Sequence, residues 1–383
     1  MNRLNQLTEI HQSGKPYIIY KSKKGFNLYT NFSKKIILNN QNIKSFLTKK
    51  NKKKSKDTDL FIGFFGYELL NNLIDVKIPK QKNLNFPKGI FYKPEKKIKL
   101  SNKLNYDFEN FKSGNFKINI NRKNYTKIFN KFKKKIKSGE TYQIKICTKY
   151  KTKSKINPLD FFSRLSNTNL APEAFMIKDH NYSIISCSPE TLITKKGSDI
   201  STKPIAGTVK KTKHLNKMKA LNYFRKNLKE TKEHNMIVDM ERNDLSRICK
   251  VGSVKLSKQK IVEEYKDLFH YVSLIKGKLK KNINNFEIIK AMMPGGSVIG
   301  CPKINTLNLL NNQEKENRNI YTGSFGYIKF NGDMRFNIII RSILNFKNIS
   351  EISVASGVVV DSNANHEFNE NFLKAKALID LFK

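Results

Sequence analysis

Two apolar runs near the C-terminal end, NIIIRSILNF (337–346) and ISVASGVVV (352–360), have the composition of buried or half-buried strands and only five residues between them. That gap has no room for the crossover of a dozen or more residues that parallel neighbours require. YSIISC (182–187) and PYIIY (16–20) are further strand-like pieces, and DLFIGFFGYELL (59–70) is an apolar run of the same kind. Between them lie helical patterns. Tyr125, Ile128, Phe129, Phe132 and Ile136 recur at helical spacing with Gly139 as a stop, and the closing HEFNENFLKAKALIDLF places Phe368, Phe372, Ala375 and Ile379 on one stripe. Strands and helices in irregular order predict an α/β chain of the α+β type with sizeable antiparallel sheets. No repeat and no Gly/Ser- or Pro-rich linker divides the chain.

At 383 residues the chain can bury a substantial core as one large domain or two smaller ones. Its first residues, MNRLNQLTEIHQSGK, lack the apolar centre of a signal peptide, and no window nears the roughly 20 apolar residues that span a bilayer. A cytoplasmic location is the expectation. Cys147, Cys187, Cys249 and Cys301 have neither CxxC spacing nor a His cluster beside them, so they read as free thiols. The net charge of +43 raises the prospect of a nucleic-acid partner. Only nine of the 74 basic residues are arginine, however, the side chain that bidentate phosphate and guanine contacts favour. The excess of Lys, Asn, Ile and Phe matches A/T-rich codons, and the run Thr48–Lys56 reads as a solvated loop. A field of this sign still attracts a small dianion.

Several constellations carry possible chemistry. Glu230 and Glu233 in KETKEHNMIVDMERNDLSR share a helix face, and Glu367 and Glu370 repeat the spacing with Lys374 one turn later. Taken singly, either pair is also what a solvated helix face looks like; together they are the oxygen donors a hard divalent cation takes. CSPETL (187–192) offers Glu190 at a strand exit, a position suited to a general acid. MMPGGSVIGCPK (292–303) is a small-residue loop whose amides suit an anion, although it is neither GxxxxGK[ST] nor GxGxxG. His270 in LFHYVS lies in an apolar strand, where a satisfied core histidine is the ordinary reading.

The motifs GETYQI, SPE, PIAGT, KEH, VDMERNDLSR, HYVS, PGGSVIGCPK, YTGSFGY, NIIIRS and ASGVVVDS…HEFNE occur in this order along residues 139–370. The series resembles the chorismate-utilising enzymes, specifically component I of anthranilate synthase and its relative, component I of aminodeoxychorismate synthase. The resemblance is firm over residues 119–383, a catalytic domain, and weaker over 1–118, a shortened N-terminal part expected to join the same fold. It implies two large, mainly antiparallel sheets packed face to face with helices outside, and chorismate held with Mg2+ in a cleft between them. It further implies Glu233 and Glu370 as Mg2+ ligands supported by Glu230 and Glu367, Glu190 as the general acid, and His270 beside the ring. Gly207, Thr208, Ser297, Tyr321, Arg341, Gly357 and Lys374 match positions that bind the carboxylates of chorismate.

Two positions choose among members of the family. Gln143 stands where relatives that add water carry a lysine base, which implies ammonia as the nucleophile. Ala206 stands where aminodeoxychorismate synthases place a lysine that adds to ring C2; a methyl group there implies attack of ammonia on C2 and anthranilate as product, in the service of tryptophan biosynthesis. Lys145, two residues beyond Gln143 on the same strand face, is the residue that would substitute for the missing lysine. No glutaminase nucleophile motif is present, so a separate glutamine amidotransferase subunit is the implied ammonia source. The segments PGGS, YTGSFGY and HYVS are as much in the style of aminodeoxychorismate synthases. An LLES-like motif is absent, and Asn169-Leu170-Ala171-Pro172-Glu173 replaces an NPSPY-like stretch, two elements of the tryptophan pocket in regulated relatives.

Overall fold

A computed structural model of the chain describes residues 3–22, 24–49, 56–74, 76, 86–101, 103–104, 114–168, 171–265 and 268–383. Most of the lysine-rich run, residues 50–55, and Asn169 and Leu170 of the altered NPSPY-like stretch lie outside the described residues.

The strands are β1 (Tyr17–Ser22), β2 (Gly25–Ile37), β3 (Leu60–Phe65), β4 (Gly89–Leu100), β5 (Lys117–Ile118), β6 (Gln143–Lys153), β7 (Glu173–Lys178), β8 (Tyr182–Ser188) and β9 (Thr191–Lys196). They continue with β10 (Asp199–Lys203), β11 (Ile205–Lys210), β12 (Lys255–Glu264), β13 (Leu268–Lys278), β14 (Gly300–Cys301), β15 (Ser324–Lys329), β16 (Met334–Asn337), β17 (Ser342–Phe346) and β18 (Ile349–Val358). The helices are α1 (Arg3–Gln12), α2 (Ile43–Thr48), α3 (Tyr67–Leu73), α4 (Arg122–Lys137), α5 (Pro158–Thr168), α6 (Lys217–Lys226), α7 (Leu228–Ile248), α8 (Asn285–Met292), α9 (Lys303–Gln313) and α10 (Ala364–Ile379).

Each strand pairing among the described residues is antiparallel; short gaps require this of β7–β8 and β17–β18, whereas β1–β7, β3–β15 and β6–β18 pair over long separations. The order runs β12–β13–β10–β9–β16–β15–β3–β4–β2–β1–β7–β8–β17–β18–β6, with β11 sharing an edge of β13 with β10 and with β5 and β14 on the far edge of β6. The ladder folds back on itself. Phe175 of β7 stacks on Phe325 of β15 with ring centroids 3.8 Å apart, inside a buried cluster that also takes in Ile18, Ile62, Tyr92 and Ile184. The two face-to-face sheets expected are thus the two halves of one continuous ladder. β1 pairs with β7 and β3 with β15, so residues 17–100 supply strands to the middle of it. Helices cover the outer faces: α5 lies on β7 and β8, and α4 and α10 pack together over β6 and β18. None of the described helices is long and apolar enough to cross a membrane.

α4 forms as its spacing predicts. Asn121 caps its start by accepting from the Asn124 amide, Tyr125, Phe129, Phe132 and Ile136 are buried, and Gly139 takes the positive φ of 78° that ends it. The stripe on α10 is different from the one expected. The buried face carries Glu367, Asn371, Ala375 and Leu378, whereas Phe372 is 47% exposed. Hydrogen bonds make the polar face the inner one: the Ser362 hydroxyl donates to Glu367 Oε1 over 3.0 Å, and Asn371 Nδ2 donates to the Thr148 hydroxyl over 2.6 Å. Apolar spacing alone misplaces such a helix by one position. Among the described residues all four cysteines are free thiols.

Candidate active site

The amino-terminal ends of α7 and α10 converge over one end of β6 and β18, and the β11–β13 pair closes the side. This encloses a cavity of about 510 Å3. It is lined by Glu190, Ala206, Gly207, Thr208, Glu230, Glu233, His270, Ser297, Tyr321, Arg341, Gly357, Glu367, Glu370 and Lys374. Every expected site residue except Gln143 therefore faces one space. Gln143 lies just beneath it, 1% exposed, and donates from Nε2 to Glu233 Oε1 over 2.8 Å.

Local sequence explains the placement. Asn227 caps α7 by accepting from the Glu230 amide, which sets Glu230 and Glu233 in the first turns, both on the cleft side. Asn363 caps α10 in the same way and carries Glu367 and Glu370 into the cleft from the other side. β11 pairs with β13 at Ile205↔Val272 and again at Thr208↔His270, with a bulge between. The bulge aims Ala206 at the cavity; Gly207 follows at φ 94°, where an added Cβ would lie 2.8 Å from Glu230 Oε2.

Electrostatics divide the groups. Glu190 is 6% exposed, and burial raises its pKa to about 7 against the opposing hydrogen bond from the Ser297 hydroxyl, which donates over 2.8 Å. That leaves the Glu190 carboxyl poised to hold a proton near neutrality. Glu233 moves the other way: the Lys145 ammonium, 2.9 Å away, lowers its pKa to about 2 in spite of burial. Burial would lower the pKa of Lys145, but Glu233, with Glu370 and Glu367 adding to it, raises it overall and holds the group as an ammonium. Burial, with the Arg341 charge adding to it, lowers His270 to about 4, so its imidazole is neutral and its Nδ1 lies 2.8 Å from the Thr208 hydroxyl. Lys374 pairs with Glu370 at 2.6 Å and donates to the Ala355 carbonyl. Arg341 alone among the cations lining the cleft makes no ion pair within the described residues.

Two readings change. The PGGS loop is a 3-10 turn over Gly296–Val298, and its Val298 and Ile299 amides donate to Gly295 and Gly296 carbonyls, so these two do not face an anion. Lys145, noted as a substitute nucleophile, is an ion-paired ammonium, a form with no lone pair to attack with. His366 was not singled out. It lies at the rim, one turn before Glu370, and its ligand atoms with those of Glu367 and Glu370 fall within 4.8 Å of one another. The i, i+4 spacing in HEFNE was the available signal. These groups with Glu233 opposite are oxygen donors, plus one imidazole, around a common space, and they fit Mg2+, with Lys145 and Lys374 as the cations already on the carboxylates. At the altered NPSPY-like stretch, Glu173 is fully buried and accepts from the Tyr20 and Thr191 hydroxyls and from Arg335.

A polar cleft of this make-up, with five glutamates facing Lys145, Arg341 and Lys374 and with helices closing it over a folded antiparallel ladder, marks a small-molecule site. The family model described as chorismate binding enzyme matches residues 106–380, and the chain belongs to that family. It is 34% identical over 267 residues to "Aminodeoxychorismate synthase component 1" of Bacillus subtilis (strain 168), a match covering 70% of this chain and 57% of that protein. It is 31% identical over 347 residues to an "Anthranilate synthase component I-like protein" of Synechocystis sp., covering 83% and 72%. The solved structure of anthranilate synthase component I from Streptococcus pneumoniae TIGR4 superposes with a TM-score of 0.77 at 25% identity, covering 95% of this chain and 92% of that one. The chain thus spans a little over half the length of the first of these relatives and most of the solved structure.

Proposed function

We propose that this chain aminates chorismate at ring C2 with ammonia and then eliminates pyruvate to give anthranilate. The observation that carries the reading is the state of the cleft lysines. The folate-pathway alternative needs a free amine to add to C2, whereas Lys145 is paired with Glu233, Lys374 is paired with Glu370, and the neighbouring wall presents the Ala206 methyl. Relatives of both names support chorismate as the substrate and leave the product to be decided by these residues.

In this mechanism the unpaired Arg341 guanidinium offers a planar fork to a substrate carboxylate. Glu190, protonated near neutrality and held by Ser297, gives its proton to the ring hydroxyl, which departs as water while ammonia bonds to C2. The space over Ala206 is the nucleophile's path. Gln143 is a neutral amide bound to Glu233 and cannot deprotonate water, which favours ammonia over water as the group added to the ring. Loss of a proton from C2 and of the enolpyruvyl group as pyruvate then yields the aromatic ring. Mg2+, held by Glu233 and Glu370 with Glu230 and Glu367 in support, would neutralise the ring carboxylate and orient the ring.

Two tests follow from the residues. With free NH3 held constant, kcat/KM for chorismate is expected to fall as pH rises through about 7, because Glu190 loses the proton it must donate. Glu190→Gln should remove that limb along with most of the activity; a wild-type profile flat well above neutrality would exclude Glu190 as the acid. Ammonia is scarce at neutral pH, so a glutamine amidotransferase subunit is the proposed supplier. The isolated chain should work with ammonium salts and not with glutamine, and equal use of glutamine by the chain alone would sink the two-subunit reading.

A further inference from the structure

The cleft carries a cation of its own at the proposed metal site. Lys145 Nζ lies 2.9 Å from Glu233 Oε1, with the two side chains 13% and 24% exposed. The same oxygen accepts from Gln143 Nε2 at 2.8 Å, so Oε1 already has two donors. Space for the ammonium is built into the next strand. Lys145 faces Gly357 across the β6–β18 pair, and a Cβ at that glycine would lie 2.7 Å from Lys145 Nζ and 2.9 Å from Gln143 Nε2. Any other residue at 357 would force these two donors to shift.

The other pair of the site is of a different kind. Lys374 and Glu370 are one turn apart on α10, 43% and 35% exposed, an arrangement solvent screens and that many helix surfaces show. Lys145 reaches Glu233 from a different element, over 88 residues of sequence, and is largely enclosed. Four glutamates, Glu230, Glu233, Glu367 and Glu370, converge on this cavity, and Lys145 is the enclosed positive charge among them.

Resting on the metal reading given above, we infer that Lys145 is a tethered counter-cation of the metal carboxylates: its ammonium occupies Glu233 in the cation-free cleft, competes with a divalent cation for that carboxylate, and so sets the cation affinity of the site. The arrangement keeps the carboxylates assembled before a metal arrives and weakens its hold in the absence of substrate. The displaced ammonium stays in the cleft, where a dianionic substrate supplies it with a new partner, so cation and substrate reinforce one another's binding.

The test is direct binding of Mn2+, as a spectroscopic stand-in for Mg2+, to the full chain without substrate, read by electron paramagnetic resonance or calorimetry. Lys145→Met should bind Mn2+ more tightly by about tenfold or more, the order expected for deleting a unit charge beside the site. Lys145→Arg should stay near wild type, and Lys374→Met should shift affinity by less than about threefold, as for an exposed pair. Lys145→Gln serves as the second neutral variant should Met disturb the cleft floor, with near-ultraviolet circular dichroism as the check on folding. Wild-type binding left unchanged or weakened in the neutral variants overturns this inference and leaves the metal reading standing. Binding that appears only in the neutral variants supports it in its strongest form. Absence of Mn2+ from wild type and neutral variants alike overturns the metal reading and this inference with it.

Discussion

Replacing Glu233 or Glu370 with glutamine is expected to lower chorismate turnover by about two to three orders of magnitude, because several kcal/mol of charge stabilisation is withdrawn at roughly 1.4 kcal/mol per decade of rate. Glutamine keeps the shape and removes the charge, so dependence on Mg2+ should weaken in the same variants. Stability separates the two sites. Glu233→Gln leaves the enclosed Lys145 ammonium facing neutral amides, and its melting temperature should fall. Glu370→Gln alters a pair that is 43% and 35% exposed, and its melting temperature should barely move while activity collapses. Rate assays across a Mg2+ titration, with thermal melts alongside, read both effects. Full activity with unchanged Mg2+ dependence in both variants would refute the assignment.

The local features of this fold were legible in the sequence where a segment's burial is decided by its own apolar residues. α4 is such a case, with Tyr125, Phe129, Phe132 and Ile136 buried and Gly139 at its end. α10 is not, because Glu367 and Asn371 are drawn inward by partners on other elements, and the apolar spacing that includes Phe372 points partly to solvent. The antiparallel sense of strands joined by short gaps, such as β7 with β8 and β17 with β18, followed from those gaps. Their order did not: β1 beside β7 and β3 beside β15 are pairings over long sequence separations, which periodicity cannot encode.

The candidate site shows the same division. Carboxylate pairs on capped helices could be read off α7 and α10 one helix at a time. That Lys145 is an ion-paired ammonium depends on β6 and α7 meeting over Gly357, a fact of tertiary structure. The raised pKa of Glu190 likewise comes from its enclosure, which the strand-exit position suggested and could not measure.

Ala206→Lys is expected to reduce anthranilate formation by roughly a hundredfold or more, the scale at which a displaced reactant loses its productive geometry. Ala206 is 5% exposed, on the bulge between Ile205 and Thr208, and beside it a Cβ at Gly207 would lie 2.8 Å from Glu230 Oε2 and from the Phe224 ring. Ala206 lines the cavity, so a lysine here that enters it stands in the path proposed for ammonia. The wild-type enzyme, given chorismate, Mg2+ and ammonium, should release the fluorescent aromatic product with one pyruvate per chorismate. In the variant, a lysine that reaches the ring as the free amine attacks C2 while the ring hydroxyl leaves as water. Intact-protein mass spectrometry should then find the chain heavier by chorismate less one water. Its absence together with undiminished anthranilate would show that residue 206 does not border the nucleophile's path. Accumulation of 4-amino-4-deoxychorismate by the wild-type chain would overturn the proposed product itself. It would require a cleft lysine to react as the free amine, and Lys145→Met would then abolish that product.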